Sequence, residues 1–249
     1  MINVILHGSK GRMGSALEQL IYESDDMHLI AGIDSMIDGT EHYMGFTDIM
    51  DCPLHSDVII DFSNHTAVRK VLYFAVMRHI PVVLATTAFD RDEYKIILEA
   101  STKIPIFHSS NMSIGINGIS KILETLVPLL EKEFHVEIIE KHHNKKLDSP
   151  SGTALLLADT INTCSSQKKK YVFGRHGTED CCDINQLGIH SVRGGTIPGE
   201  HTIIFAGPDE VIEIKHTALS RNIFALGALR AARFIAEQNN GLFSMTDLI

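Results

Sequence analysis

The chain has 249 residues, of which 44% are hydrophobic and 21% are charged. This composition is typical of a globular protein with enough core for one large domain or two small ones. The net charge of −9 argues against a nucleic-acid or membrane-surface binder. The start, residues 1–6, lacks the features of a signal peptide, and no apolar run reaches the ~18–20 residues of a bilayer-spanning helix. We therefore expect a cytoplasmic protein with no membrane partner.

The first half alternates short apolar runs with segments of helical periodicity. Helices are predicted near 13–21, 66–77 and 90–100, and strands at 2–6, 29–33, 58–62, 81–85 and 104–107. This order predicts an α/β domain with a parallel sheet covered by helices on both faces. Ligands bind such sheets beyond the carboxyl ends of the strands. The segments at those ends that could line one crevice are 62–64, 85–87 and 109–112.

A glycine-rich loop follows the first predicted strand. Gly8, Gly11 and Gly14 stand between that strand and the first helix, and Asp34 comes 20 positions after Gly14. Glycine lets the backbone approach a pyrophosphate, the helix start supplies N–H donors, and an acid at the second strand's end can accept from ribose hydroxyls. We predict dinucleotide binding here; the alternative is a structural turn.

The residue after Asp34 bears on the choice between NADH and NADPH. It is Ser35 and not an arginine, which removes an obvious partner for the 2′-phosphate of NADPH. Lys10 and Arg12 in the glycine loop could still supply one. We expect use of NADH, with NADPH tolerated.

From about residue 113 the order of predicted helices and strands changes. Helices are predicted at 113–130, 154–161 and 222–237, strands at 136–140, 189–192, 202–205 and 211–216, and a polar loop at 164–170. This pattern predicts a second, α+β domain with an antiparallel or mixed sheet. One face of that sheet needs cover that a second subunit could supply, so we expect a homo-oligomer.

The segment 140–154 is the most informative in the chain. It places His142, His143 and three lysines (141, 145 and 146) just before a predicted helix start. Pro150 is tolerated in a helix's first turn, and Asp148, Ser149 and Ser151 are all capable caps. A helix start binds anions, and imidazoles can move protons near neutral pH. With the glycine loop, this segment predicts a nicotinamide-dependent reductase acting on a small, multiply charged acid.

Several residues also admit other interpretations. The 14 histidines raise the possibility of a metal site, but adjacent histidines on a strand point to opposite faces and no ligand spacing is present, so we predict none. A non-catalytic nucleotide sensor would need only the glycine loop and Asp34. Structural roles such as capping, loop bonding or solvated charge are predicted for Glu140, Asp148, Glu200 and His201, and Asp61 could form a turn.

The four cysteines indicate a reducing compartment. None belongs to a Cys-x-x-Cys pair, and the adjacent Cys181 and Cys182 suit neither a standard disulfide nor a zinc clip. We predict reduced thiols.

These motifs together resemble the 4-hydroxy-tetrahydrodipicolinate reductases, also called dihydrodipicolinate reductases, of the diaminopimelate route to lysine. The resemblance covers nearly the whole chain. It is carried by the glycine loop, by 61–63 and 111–117, by the block from Glu140 through His142, His143 and Lys146 to Ala154, and by 199–202 and 241–243. The block with its Pro-Ser-Gly-Thr ending is the most specific part.

The resemblance implies a Rossmann-like dinucleotide-binding domain (1–112 and 222–249) and a substrate-binding and oligomerisation domain (113–221) that forms a homotetramer. It implies NADH or NADPH as cofactor and a small dicarboxylate substrate. It assigns His142 as catalytic acid/base, Lys146 as proton donor, and His143, Gly152 and Thr153 as holders of the substrate carboxylates. The implied cofactor contacts are Gly8, Ser9, Lys10, Gly11, Arg12, Met13, Asp34, Ala85, Thr86, Thr87, Ser109, Ser110, Asn111 and Met112.

Overall fold

A computed structural model describes residues 1–177 and 183–249. The described chain forms two compact units, residues 1–114 with 221–249 and residues 115–220. Cys52 and Cys164 are free thiols, whereas the predicted reduced pair Cys181-Cys182 lies outside the described residues. In the described part of the chain, no helix combines the length and apolarity that crossing a bilayer requires.

The first part of the chain builds most of the first unit. Its elements, in chain order, are β1 (Ile2–His7), α1 (Arg12–Tyr22), β2 (Met27–Ile33), β3 (Met44–Phe46), β4 (Val58–Asp61), α2 (Val68–Arg78), β5 (Val82–Leu84), α3 (Arg91–Ser101) and β6 (Pro105–His108). The middle part supplies α4 (Ile114–Leu130), β7 (His135–His142), α5 (Gly152–Cys164), β8 (Lys170–Val172), β9 (Gln186–Arg193), β10 (Glu200–Gly207) and β11 (Glu210–Thr217). The last part returns to the first unit with α6 (Asn222–Ile235), β12 (Gly241–Phe243) and α7 (Met245–Leu248).

The first unit contains a seven-stranded sheet in the order β12-β6-β5-β4-β1-β2-β3. All of its strand pairs are parallel, and one hydrophobic cluster lies on each face. Chain order reverses between β1 and β4, which is where parallel sheets of this kind open a ligand crevice at their carboxyl edge. The prediction of a Rossmann-like parallel sheet is confirmed.

Local sequence explains where the elements of this unit begin. Asp90 caps α3 as predicted, because its carboxylate accepts from the backbone N–H groups of Asp92 and Glu93. The helix predicted from Thr66 begins instead at Val68, after a short 3-10 turn that Asn64 caps. Strand β3 was not predicted, because three residues with no buried position carry too little hydrophobic pattern.

The second unit contains a five-stranded sheet in the order β11-β10-β7-β9-β8. Strand β10 pairs antiparallel with β11 and β7, while β9 pairs parallel with β7 and β8, so the predicted mixed sheet is confirmed. Helices α4 and α5 pack with the inward side chains of β7, β9 and β10 into one hydrophobic cluster. The loop predicted at 164–170 is shorter, since Cys164 ends α5 and Lys170 begins β8.

Candidate active site

The alternation of β7 turns two chemically active side chains toward the buried side of the second sheet. Val136, Ile138, Glu140 and His142 are buried in turn along the strand, because residues two apart share one face. Glu140 is fully buried and His142 is 8% exposed. The strand therefore carries a carboxylate and an imidazole at the end of its hydrophobic row.

Glu140 accepts hydrogen bonds from three different parts of the unit. Its donors are His142 Nδ1 at 2.6 Å, the two terminal nitrogens of Arg193 at 2.7 Å each, and the Ser151 backbone N–H at 3.1 Å. Burial acts to raise its pKa, but the hydrogen bonds from Arg193 and His142 lower the pKa of Glu140 to about 2. The carboxylate is therefore ionised at neutral pH, and of its predicted structural roles the solvated charge is wrong.

The ionised Glu140 decides which ring nitrogen of His142 carries a proton. A carboxylate can only accept, so Nδ1 is the donor and Nε2 is left for a ligand. A Cβ at Gly199 would lie 3.0 Å from His142 Nε2, so glycine at that position leaves the Nε2 side of the ring open. Burial lowers the pKa of His142, Glu140 opposes this shift, and the charges of Lys146 and Arg193 add to it.

His201 and Ser151 extend this network to the start of α5. Ser151 Oγ shares a hydrogen bond with His201 Nε2 at 2.8 Å and accepts from the Ala154 N–H at 3.1 Å. Ser151 is thus the cap of α5 among the three predicted candidates, and Pro150 precedes the helix instead of lying in its first turn. Burial and the charge of His142 lower the pKa of His201 to about 4, so this ring is neutral.

Lys146 lies in the loop between β7 and α5. Its Nζ is 2.8 Å from Asp148 Oδ1, and its side chain is 21% exposed against 57% for Asp148. Burial raises the pKa of Asp148, but the pairing with Lys146 outweighs it and the net pKa is lowered. The Lys146 ammonium group is thus paired with an internal carboxylate.

The three predicted carboxylate-binding residues lie at the end of β7 and at the start of α5. His143 follows β7 directly, and Gly152 and Thr153 form the first turn of α5. Gly152 is exposed, and its backbone N–H contributes to lowering the pKa of Asp148. The structure therefore brings His142, Lys146 and this helix start together in one unit.

The other two lysines of the segment do not belong to this cluster. Lys141 points to the opposite side of β7, where its Nζ is 2.5 Å from Glu200 Oε1. Lys145 is exposed. Strand alternation therefore separates the Lys141 ammonium group from the side of β7 that carries Glu140 and His142.

The predicted cofactor loop lies in the first unit, between β1 and α1. A Cβ at Gly14 would lie 2.3 Å from both Gly8 O and Ser9 O, and one at Gly8, where φ is +82°, would lie 2.8 Å from Phe62 O. Only glycine fits such a closely folded loop. Ser9 is buried, Gly11 is the N-cap of α1, and the N–H groups of residues 8–11 all donate within the protein. The first turn of α1, which Arg12 and Met13 open, carries the N–H groups that a pyrophosphate would need.

Asp34 and Lys10 are both tied to neighbouring groups. Asp34 accepts from the backbone N–H groups of Lys10 at 3.1 Å and Met36 at 3.0 Å. The Lys10 ammonium donates to Glu41 Oε1 at 2.7 Å, and this bond raises the pKa of Lys10. Glu41, which sequence reasoning missed, also accepts from the Gly39 N–H at 2.9 Å. Lys10, one of the two loop cations considered as 2′-phosphate partners, is therefore already paired with a carboxylate.

Asp61 joins the carboxyl ends of three neighbouring strands by hydrogen bonds. It is fully buried and accepts from His7 Nδ1 at 2.7 Å, Ser63 Oγ at 2.6 Å and Thr86 Oγ1 at 2.7 Å. It also accepts from the Ser63 N–H at 3.3 Å, so the predicted turn is present. Thr86 therefore uses its hydroxyl within the protein, whereas Ala85 is half-buried and Thr87 is exposed.

The remaining predicted cofactor contacts follow β6. Ser110 is exposed, and the Ser109 hydroxyl donates to the Asn111 carbonyl at 2.9 Å. Asn111 Oδ1 accepts from the Ser113 N–H at 2.8 Å. Met112 packs in the core of the first unit, so any cofactor contact there falls to its backbone. No group of three or more potential metal-ligating side chains occurs among residues 1–177 and 183–249.

Comparison with known proteins identifies the family. The family model "Dihydrodipicolinate reductase, N-terminus" matches residues 2–112, and "Dihydrodipicolinate reductase, C-terminus" matches residues 115–249. The chain belongs to the dihydrodipicolinate reductase family. The resemblance inferred from the sequence motifs is confirmed.

Curated relatives agree with this membership over their full length. Proteins named 4-hydroxy-tetrahydrodipicolinate reductase from Caldanaerobacter subterraneus subsp. tengcongensis and Clostridium novyi are each 45% identical to this family member, covering 100% of it and 98% of the relative. A solved dipicolinate-bound dihydrodipicolinate reductase from Paenisporosarcina sp. TG-14 has the same fold, with a TM-score of 0.83 at 23% identity over 98% of this chain and 97% of the other.

Proposed function

We propose that the chain reduces 4-hydroxy-tetrahydrodipicolinate (dihydrodipicolinate) to tetrahydrodipicolinate with NADH or NADPH, in the diaminopimelate route of lysine biosynthesis. The observation that carries this proposal is the clustering of His142, Lys146 and the α5 start in a chain that both family models of this reductase match. NADH oxidation by the purified protein, followed with freshly generated substrate, tests it. No substrate-dependent oxidation would refute it, and pyridine-2,6-dicarboxylate should inhibit the reaction.

The first unit suits a pyridine dinucleotide. The glycine loop between β1 and α1 leaves no room for a Cβ at Gly8 or Gly14, and Asp34 stands at the end of β2. The N–H groups in the first turn of α1 would bind the pyrophosphate and Asp34 would accept from the ribose. The reduced nicotinamide, when bound, supplies the hydride. Ser110, Thr87 and the backbone of 109–112 are the proposed further contacts at this edge.

The second unit suits a small dicarboxylate. The α5 start carries the backbone N–H groups of Gly152 and Thr153, and the Gly152 N–H and the Lys146 ammonium group both contact Asp148. We assign these groups, with His143, to the two substrate carboxylates. Lys146 is paired with Asp148, so a substrate carboxylate that binds Lys146 would displace the Asp148 carboxylate.

His142 and Lys146 are the candidates for moving the proton. Reduction of a conjugated C=C–C=N system develops negative charge that an adjacent cationic acid can neutralise. His142 presents Nε2 because Glu140 holds its Nδ1, and Lys146 lies close enough for its charge to lower the pKa of His142. We assign His142 as acid/base and Lys146 as proton donor.

Glu41 favours NADH over NADPH. A 2′-phosphate beside Asp34 would meet Asp34 and Glu41, and Lys10 is already paired with Glu41. Two carboxylates near one neutralised lysine disfavour an added dianion. We therefore propose higher kcat/KM with NADH; a tenfold or greater advantage for NADPH would refute this preference.

The outward face of the second sheet supports a homotetramer. Val192 and Val211 are 45% and 59% exposed, and Ile139 and Ile204 are partly exposed on the same face. Apolar side chains on a sheet face commonly mark an interface. Light scattering after size exclusion should give four subunits; a monomer would refute the proposal. We also propose a cytoplasmic location, which cell fractionation tests.

A further inference from the structure

We propose that Glu140 is a positioning residue that holds the His142 imidazole and the start of α5 in one fixed arrangement, with Arg193 anchoring its carboxylate. This inference rests on the proposed function, because it assigns a role in the same site. Glu140 itself is fully buried, so it acts through its neighbours.

Each oxygen of Glu140 binds one nitrogen of Arg193 and one functional element. Oε2 accepts from His142 Nδ1 at 2.6 Å and from Arg193 Nη1 at 2.7 Å. Oε1 accepts from the Ser151 N–H at 3.1 Å and from Arg193 Nη2 at 2.7 Å. A shift of this carboxylate therefore disturbs the imidazole and the helix start together.

Arg193 is itself held in place from two sides. It lies opposite His142 in the register of β7 with β9, and its side chain donates to the Val192 carbonyl at 2.9 Å and the Asp148 carbonyl at 2.8 Å. The second contact ties the loop that carries Lys146. The Glu140–Arg193 pair thus joins the end of β7, the Lys146 loop and the α5 start.

A glutamine at position 140 would reverse the hydrogen-bond pattern. Its amide has one oxygen, for which Arg193 and Ser151 compete, and an NH₂ group that can only donate. His142 Nδ1 must then accept, so the ring proton moves to Nε2 and the site loses its countercharge. The charged or titratable groups facing His142 are Glu140, Lys146, Asp148, Arg193 and His201.

The experiment compares wild type with Glu140→Gln by three measurements. Ring ¹⁵N shifts, with His142 assigned from a His142→Gln spectrum, should report an Nδ1–H ring in wild type and an Nε2–H ring in the variant. The high-pH limb of the kcat profile should move to lower pH, because Glu140 raises the pKa of His142. We expect kcat to fall about 10- to 100-fold, as for a misplaced reacting group, and the Kd of pyridine-2,6-dicarboxylate to rise about tenfold.

The chain contains a matched control on the same strand. Glu137 accepts from Arg175 at 2.7 Å and shares a hydrogen bond with His190 at 2.6 Å, so it also forms a carboxylate–arginine–histidine cluster, on the opposite face of β7. Glu137 is less buried than Glu140, so Glu137→Gln should lower thermal stability less and leave the His142 ring, the pH limb and the dipicolinate Kd unchanged. The same changes in Glu137→Gln would overturn the proposal.

Glu140→Asp tests the length of the side chain separately from its charge. It keeps the countercharge, so the pH limb should stay near the wild-type position while kcat falls because the shorter side chain misplaces the ring. If Glu140→Gln does not fold, this variant alone decides, and wild-type kcat and Kd in it would overturn the proposal. An unchanged ring tautomer in folded Glu140→Gln would also overturn it. The NMR result needs no turnover, so it is independent of whether wild type reduces the proposed substrate.

Discussion

Each unit of this protein buries one carboxylate at the end of a strand, and the two differ in what they organise. Asp61 accepts from a histidine, a serine and a threonine that all lie beside the carboxyl edge of the parallel sheet. Glu140 accepts from a guanidinium, an imidazole and a helix-start N–H. Asp61 holds side chains beside the proposed cofactor loop, whereas Glu140 holds an imidazole that is proposed to react. Loss of the first should affect stability and cofactor affinity, and loss of groups near the second should affect turnover.

The largest expected effect is in the second unit, at the proposed catalytic groups near Glu140. Lys146→Ala should lower kcat at least ~100-fold, the lower range for a lost proton donor, without measurable loss of stability, since the pair with Asp148 is half-exposed. Steady-state kinetics and urea unfolding measure both quantities. Lys145→Ala, next to it and exposed, is the control and should retain wild-type kcat. Unchanged kcat in Lys146→Ala would remove Lys146 from this role.

The second prediction concerns Asp61. Asp61→Ala leaves three buried or half-buried donor groups without their acceptor, so the free energy of unfolding should fall by about 3 kcal/mol and the Kd for NADH should rise. Urea unfolding and fluorescence titration with NADH are the measurements. Asp57→Ala removes one exposed backbone contact, from Asn3 at 2.7 Å, and should lose far less stability. Equal losses in the two variants would contradict the central role of Asp61.

The third prediction uses pH and His201. Its pKa is about 4 in the folded chain against an ordinary value of 6.5, so between these values the unfolded chain binds a proton that the folded chain does not. The stability that the neutral His201 contributes is therefore present above pH 6.5 and is lost as pH falls toward 4. The free energy of unfolding should fall by about 2 kcal/mol between pH 7 and 5 from this residue. Urea unfolding at both pH values should show a shallower loss in His201→Asn than in wild type. Parallel losses would show that His201 is not a source of the acid sensitivity.

The smallest effect is expected at Glu41. Glu41→Gln frees the Lys10 ammonium and removes one negative charge near Asp34, so kcat/KM for NADPH should rise about fivefold relative to NADH, the scale of one surface charge pair. Initial rates with both cofactors test this. Glu23→Gln, which changes an exposed carboxylate bonded to Gln19 at the end of α1, is the control and should leave the ratio unchanged. An unchanged ratio in Glu41→Gln would mean that Glu41 does not set cofactor choice.

Regular patterns in the sequence were enough to predict most of the fold. Buried parallel strands appear as apolar runs, and amphipathic helices repeat every three to four residues. Strands β3, β8 and β12 were not predicted, because each has three residues and no buried position. Their pairing depends on β2, β9 and β6, which supply the neighbouring backbone, so no local pattern marks them.

Some residues of the site could likewise be predicted from local sequence, whereas others depend on contacts between distant segments. The glycine loop, Asp34 and the block from Glu140 to Ala154 could be recognised because each is a short continuous motif with a chemical requirement. Arg193 lies 53 residues from Glu140 and Glu41 lies 31 from Lys10, so their roles could not be inferred from spacing. The signal for Glu140 itself was available, since it falls in the buried phase of β7 with Val136 and Ile138.

The sequence by itself determined the family, the two sheets and the side chains suited to proton transfer and anion binding. Those properties follow from residue types in short order along the chain. Only the tertiary structure decided which residue caps α5, which ring nitrogen of His142 is free, and which lysines pair with a carboxylate. Each of these depends on a charge or hydrogen-bond partner that folding brings from a distant strand or loop, where burial makes the pairing strong.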